Sequence, residues 1–421
     1  MVDGPLVEML VRSNEAYRKY IHVDEKGKKV VYLELKKALY GTMMAAKLFW
    51  QTLTHKLEKY GFTPNDYDSC VMNKEIDGFQ CTVLWHVDDL KISHKDPAVV
   101  TKIINYLKKE FDDCDITITR GLKHTYVGMD IDFSQKGCVM ISMNDYLEEA
   151  VEAFPDSIDA KVTSPAGEHL FDVNANAEKI SNAKQEIFHH IVAKLLFVST
   201  RARPDLQVAI SFLTSRVIQP TIDDWKKLRR VISYVNNTKH LYLTLSSSNT
   251  SIVKFWTDAA YGVRDDYKSQ TGSALSFGRG VFMTKSTKQK INTKSATEAE
   301  LIAASDMIPQ LLWTRYFLES QGYNINEAIL FQDNKSAILL ETNGRASSSK
   351  RTKHINIRYF FMKDRIAQNE FKVEYCPTNE MLGDFFTKPL QGQKFIEFRD
   401  LILGFTQLTD DNTSNSERVG N

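Results

Sequence analysis

The chain has 421 residues, 43% apolar and 25% charged, with a formal net charge of +1. This is an ordinary globular balance with core material for two or three domains. Cys70, Cys81, Cys114, Cys138 and Cys376 lie far apart without zinc-site spacing, and no signal peptide or run of about 18 apolar residues occurs. A zinc module, secretion and a membrane span are thereby disfavoured and a reducing compartment fits, while a local basic groove for nucleic acid stays open.

In chain order, Gly4–Tyr20 has helix-like apolar spacing and Lys29–Leu35 alternates as a strand. Met43–Tyr60 reads as an amphipathic helix, with Leu48, Phe49, Leu53 and Leu57 near one face and Gly61 and Pro64 ending it. Strands at Cys70–Asn73 and Cys81–Val87 lead to two adjacent acids, Asp88 and Asp89, before a return strand at Leu90–Ser93. Acids at such a turn can hold a divalent cation, or form only a hydrophilic hairpin tip. Asp96 and Pro97 open a helix whose buried side includes Val99, Ile103, Leu107 and Phe111.

Asp145–Phe154, Lys184–Ser199, Asp205–Arg216 and Asp223–Asn237 read as helices, and residues 161–176 as a loop or linker. His189 and His190 are helix neighbours on different faces, so one packed and one exposed histidine is expected, with no shared metal. The run SSSNTS at 246–251 marks a boundary.

A core strand is expected at Ile252–Thr257, ending on Asp258. Alone, Asp258 reads first as a solvated turn acid. Strands at Thr271–Phe277 and Gly280–Ser286 flank the turn Gly278-Arg279-Gly280. Thr297 opens a long helix through about Glu319, and Thr297 with Glu300 fits a capping box, which would by itself account for Glu300. Ala328–Gln332 is a further strand followed by Asp333, Lys335–Glu341 a helix, and Lys372–Tyr375 a strand. Thr378 or Asn379 can cap a last helix carrying Asp384. A mixed sheet in this order can bring Asp258, Glu300, Asp333 and Asp384 to one rim. Four such acids repel one another and need cations to stay ionised. Two Mg²⁺ ions about 4 Å apart could activate water and stabilise the leaving oxygen of a phosphodiester, with Asp258 bridging them.

These segments resemble the C-terminal part of a Ty1/copia-type retrotransposon polyprotein, reverse transcriptase followed by ribonuclease H. LKKALYG at 35–41, AAKLFW at 45–50, YDSCV at 67–71, WHVDD at 85–89, GLKHTYVGMDI at 121–131 and LLFVSTRARPDLQVAISFLTSR at 195–216 carry the first part. FWTDAAYG, KSATEAELIAASD, FQDNKSAI, RTKHINIRYFFMKD and NEMLGDFFTKPL carry the second. The resemblance maps the polymerase carboxylate pair onto Asp88 and Asp89, with His86 where the family has tyrosine. It also implies an earlier palm aspartate. Only Met1–Val30 precedes the LKKALYG segment, and Asp3 and Asp24 lack the expected setting. The expectation is an N-terminally truncated chain, without one catalytic acid, most of the fingers, and the upstream integrase and protease.

The resemblance therefore implies an α/β multidomain chain: a partial polymerase palm (α+β) with a helical thumb or connection, then a ribonuclease H-like mixed sheet with flanking helices. The expected parts are residues 1–160 (partial fingers and palm), 161–245 (thumb or connection), 250–395 (ribonuclease H-like) and 396–421 (polar tail). The expected activity is two-metal hydrolysis of RNA in RNA–DNA hybrids by Asp258, Glu300, Asp333 and Asp384 with Mg²⁺, or Mn²⁺ in its place. Asp88 and Asp89 are the expected polymerase ligands, although polymerisation lacks its first aspartate; the alternative is an inactive nucleic-acid-binding remnant. Partners would be RNA–DNA hybrid, primer–template and upstream polyprotein segments, without a membrane. The setting would be intracellular, cytoplasmic and particle-associated, or nuclear. In the basic run Arg345–Arg365, Lys350, Arg351, Lys353, His354 and Arg358 can grip phosphates without reading sequence; a nuclear-import signal or solvated patch fits the same residues. Beyond Gly404 the chain is polar enough for disorder.

Overall fold

The computed structural model describes residues 1–34, 41–111, 116–158, 162–247, 249–343 and 356–408. The architecture is mixed α/β, with several open sheets flanked by helices. The chain divides into two compact units, Met1–Pro64 with Ser69–Asp112, and Asn65–Asp68 with Asp113–Asn421. Segment 35–40, Cys114, Lys350, Arg351, Lys353, His354 and the tail after 408 lie outside the described residues.

In the first unit, Met43–Tyr60 is one helix, capped by Thr42 and closed by Gly61 in a left-handed conformation. Val71–Ile76, Phe79–His86 and Asp89–Ser93 form an antiparallel sheet with the short strand Thr63–Pro64. Leu53, Leu57, Met72, Val83, Trp85, Val99, Ile103 and Leu107 share its core, joining that helix and Pro97–Glu110 to the sheet. Two expectations are corrected at the start of the chain. Gly4–Tyr20 divides into an α-helix, Pro5–Ser13, and a 3₁₀ segment, Glu15–Tyr20, because Asn14 is extended and caps the second. Of the strand expected over Lys29–Leu35, Lys29–Val31 pairs among the described residues, and Leu35 lies outside them.

In the second unit, the helices Asn144–Glu152, Asn182–Ser199, Gln207–Thr214 and Ile222–Asn237 contribute to one large core. Within it, Arg203 is buried and forks onto Asp205 at 2.9 and 2.7 Å while donating to Thr238; Tyr234 donates to the same carboxylate at 2.8 Å. Every charge of this group is hydrogen-bonded, which makes its burial tolerable. His189 and His190 are both exposed, correcting the expectation of one packed histidine. The buried face is filled by Phe188, Ile191, Val192 and Leu195 instead.

The sheet of the last 170 residues is five-stranded and mixed. Its order is Met283–Lys288, Gln270–Ser276, Ile252–Ala260, Glu327–Gln332, Lys372–Tyr375; the first two pairings are antiparallel and the last two parallel. Side chains of the central strand alternate between two cores. Val253 and Phe255 meet Leu301, Ile302 and Ile308 of the Ala296–Ser320 helix. Trp256 meets the large core with Phe385 and Phe386. Gly278–Arg279 lies in the connection between the antiparallel strands Gln270–Ser276 and Met283–Lys288, as expected, and also pairs with Leu243–Ser247 of a neighbouring sheet; Ser276 Oγ accepts from the Gly278 N–H and donates to the Gly280 carbonyl. The third strand starts at Met283. Two helices were not anticipated, Asn356–Ala367 and Gly392–Ile402.

Candidate metal centre

Asp258 lies inside its strand, not at its end, since antiparallel pairing continues to Ala260 opposite Gln270. The parallel pairing on the other side stops at Trp256. Asp258 is therefore held rigidly by one neighbour and left open toward the other. It is only 2% exposed.

Glu300 reaches it from the long helix. The N-cap expected at Thr297 lies two residues earlier, at Ser295. Ser295 accepts from the Glu298 N–H, and the Glu298 carboxylate takes the Lys294 N–H. Ser295 competes successfully because helical geometry begins at Ala296, which leaves Glu300 free of a capping role. Ala259, Ala299 and Ala303 pack together; their small side chains let the first turns of the helix lie close to the strand.

Asp333 follows the Glu327–Gln332 strand. Its backbone N–H donates to Gln332 Oε1 at 2.9 Å, as does that of Asn334 at 3.2 Å. Asn334 in turn caps the Lys335–Asn343 helix by accepting from Ser336 and Ala337. Thr378, expected as a helix cap, instead donates to Asp333 Oδ2 at 3.0 Å. One oxygen each of Asp258, Glu300 and Asp333 lies within 4.8 Å of the other two.

Asp384 stands beside this trio. It opens a four-residue helix, Asp384–Thr387, with no side-chain cap, which corrects the longer helix expected from Thr378. Two glycines let this turn press on the central strand. Gly272 is paired directly with Asp258, and a Cβ there would meet the Gly383 carbonyl oxygen at 2.6 Å and Thr387 at 2.7 Å. A Cβ on Gly383 would meet Asp258 Cβ at 2.7 Å and its nitrogen at 2.8 Å. Thr387 Oγ1 donates to Asp258 Oδ2. Lys388 Nζ donates to Asp384 Oδ1 and lies 3.6 Å from Asp258 Oδ2, and Lys394 Nζ lies 3.7 Å from Asp384 Oδ2.

The electrostatics follow from burial and crowding. Burial, then the charge of Asp384, pushes the Asp258 carboxyl up to about 6 against the opposing pull of Lys388. Burial pushes Glu300 well above the usual carboxylate range, reinforced by Asp258 and Asp333. For Lys388, burial works against the charge, but Asp258 and Asp384 prevail and its pKa is raised. Glu300 Oε2 is buried with no hydrogen-bond partner. A buried carboxylate with one unpartnered oxygen, grouped with two further carboxylates, is a donor set suited to a hard divalent cation such as Mg²⁺.

Asp88 and Asp89 belong to the other unit. His86 pairs with Asp89 across a tight turn in which Val87 has a φ of 56°, and both acids are exposed. Among the described residues, no third acid, histidine or cysteine joins them in a metal-holding group. Arg358 is paired with Asp306 on the long helix.

Residues 18–166 match the family model described as reverse transcriptase (RNA-dependent DNA polymerase). The chain is 28% identical over 383 residues to the retrovirus-related Pol polyprotein from transposon TNT 1-94 of Nicotiana tabacum, covering 89% of this chain and 28% of that protein. It is 26% identical to the Pol polyprotein from transposon RE2 of Arabidopsis thaliana, covering 86% of this chain and 24% of that protein. It is 24% identical to the transposon Ty1-BR Gag-Pol polyprotein of Saccharomyces cerevisiae, covering 86% and 21%. At superfamily level the chain groups with Ty1/copia-type retrotransposon Pol polyproteins. It spans less than a third of the length of these relatives. The N-terminal RNase H domain of rv2228c from Mycobacterium tuberculosis, a fusion with maltose binding protein, aligns with 33% of this chain and 91% of that chain at 13% identity and a TM-score of 0.23, too loose a superposition to bear on the site. The family match ends before the acidic trio begins.

Sequence reasoning missed Gly272, Gly383, Thr387, Lys388 and Gln332, and gave Thr378 a capping role instead. The TGS and LGD glycines and the TK pair that follows were visible signals, but nothing local says which strand they touch.

Proposed function

We propose that the second unit hydrolyses the RNA strand of RNA–DNA hybrids through a divalent-metal centre on Asp258, Glu300, Asp333 and Asp384. The observation that carries this reading is the convergence of three carboxylates within 4.8 Å, one with a buried orphan oxygen. The similarity to retrotransposon Pol polyproteins supports it. Asp258, Glu300 and Asp333, with Asp384 beside them, would hold the Mg²⁺. Bound there, the metal would supply an activated water and charge stabilisation at the scissile phosphate. The protein's part is positional. Gln332 holds the Asp333 turn, Thr378 orients its carboxylate, and Thr387 orients Asp258. Substrate choice would rest on hybrid shape and the RNA 2′-OH rather than on base identity. Lys350, Arg351, Lys353 and His354 would add backbone-directed phosphate contacts, and Arg358 would join them only by leaving Asp306.

Asp258→Asn keeps the side-chain shape and removes the charge that the metal needs. Mg²⁺-dependent cleavage of a labelled hybrid should fall to background while the circular dichroism spectrum is retained. Undiminished cleavage by the purified variant would overturn the proposal. Hybrid binding without cleavage by the whole unmutated chain would favour an inactive binding remnant instead.

For the first unit, we assign Asp88 and Asp89 to a primer–template-holding region rather than to polymerisation, because the exposed pair has no third acidic partner among the described residues. Robust primer extension by this chain, with Mg²⁺ or Mn²⁺, would refute that assignment.

A further inference from the structure

The two sides of Asp258 are not alike. On the side of Glu300 and Asp333, among the described residues, no lysine or arginine is paired with the carboxylates, and the Glu300 Oε2 atom has no hydrogen-bond partner. On the side of Asp384 a cation is already built in. Lys388 Nζ is hydrogen-bonded to Asp384 Oδ1 and 3.6 Å from Asp258 Oδ2. The lysine side chain is 41% exposed, whereas those of Asp258 and Asp384 are 2% and 3% exposed. Its ammonium is thus held between two buried carboxylates on a stem that opens to solvent. Lysine is a compact point charge with four rotatable carbons, so it can leave without moving the backbone. Asp384 would not be left uncompensated, since Lys394 lies 3.7 Å from its other oxygen.

We propose that Lys388 is an internal counter-cation that occupies the Asp258–Asp384 side of the centre and must swing out before a divalent ion can bind there. The inference rests on the metal-centre reading above and adds an order of loading. The first ion enters at Asp258, Glu300 and Asp333; the second displaces Lys388. In the metal-free protein Lys388 also keeps Asp258 and Asp384 from repelling each other, which holds the Asp384 turn against the central strand.

Calorimetric titration of the whole chain with MnCl₂, without nucleic acid, tests this. Wild type should bind one ion tightly and a second weakly. Changes beside a metal site commonly move affinity by about 10–100-fold, and Lys388→Met should tighten the second step by about tenfold, with Lys388→Arg staying near wild type. Metal-free Lys388→Met should melt earlier than wild type and recover with Mn²⁺; a purely structural lysine would give a loss that Mn²⁺ does not recover. An unchanged or weaker second step in Lys388→Met would overturn the proposal, as would a melting loss indifferent to Mn²⁺. Asp258→Asn separates the two readings. If it leaves the isotherm unchanged, the ions bind elsewhere and the metal-centre reading falls. If it abolishes binding while Lys388→Met changes nothing, only the lysine's role falls.

Discussion

Glu341 offers a sharp test of how this fold handles charge. It sits near the end of the Lys335–Asn343 helix with no exposed surface, and neither carboxylate oxygen has a hydrogen-bond partner. Burial pushes its pKa from 4.5 up to about 8, with the Gln332 side chain working against the shift. Between those two values the unfolded chain releases the proton while the folded one keeps it. The folded state therefore binds more protons, and stability falls as pH rises. The window is fixed by the same two values: the penalty is absent below about pH 4.5, grows through the neutral range and levels off above about pH 8. Each pH unit is worth about 1.4 kcal/mol. The cost is then about 3 kcal/mol at pH 7 and about 5 kcal/mol at its plateau, both of order-of-magnitude precision. Glu341→Gln is nearly isosteric and cannot ionise. Urea unfolding of both proteins from pH 4 to 9 gives the difference directly, and titrations common to both cancel. The variant's advantage should rise with pH across the neutral range. A difference that is flat over pH 5–8, or that shrinks as pH rises, would refute the reasoning. The result matters for the metal centre, because Gln332, which holds the Asp333 turn, lies next to this acid.

Gly383→Ala places a methyl group against Asp258; it should cost about 1–3 kcal/mol by overpacking and weaken Mn²⁺ binding together, so wild-type stability and affinity would show that the turn does not press on the strand as described. Asp205→Ala leaves Arg203 buried without its carboxylate. Its cost should be about 3–5 kcal/mol in urea unfolding of the second unit, and a loss under about 1 kcal/mol would mean that water or another acid compensates.

Much of the fold was legible because its signals are local. Met43–Tyr60 carries its own amphipathic stripe, cap and terminating glycine, so it is read at its true bounds. Asp96 with Pro97, and the strand Lys372–Tyr375, are likewise decided by adjacent residues. The acids Asp258, Glu300 and Asp333 were nameable because each adjoins an apolar strand or helix pattern that is plain in the sequence. Their distances were not, since they depend on strand order and on how closely Ala259 lets the helix approach. Local chemistry also offered choices that only packing resolved. Ser295 and Thr297 are both acceptable caps, and the contact of Ala299 with the strand accompanies the earlier one. Thr378 is an acceptable cap too, but Asp333, 45 residues away, takes its hydroxyl. Lys388 reads as an ordinary surface lysine until the Asp384 turn is laid on the central strand, which Gly272 and Gly383 permit by having no side chain. The sequence by itself determined the elements and the supply of carboxylates. Only the tertiary structure decided which carboxylates meet and which cation stands between them, because those contacts join separate elements of the chain and depend on gaps of a single methyl group.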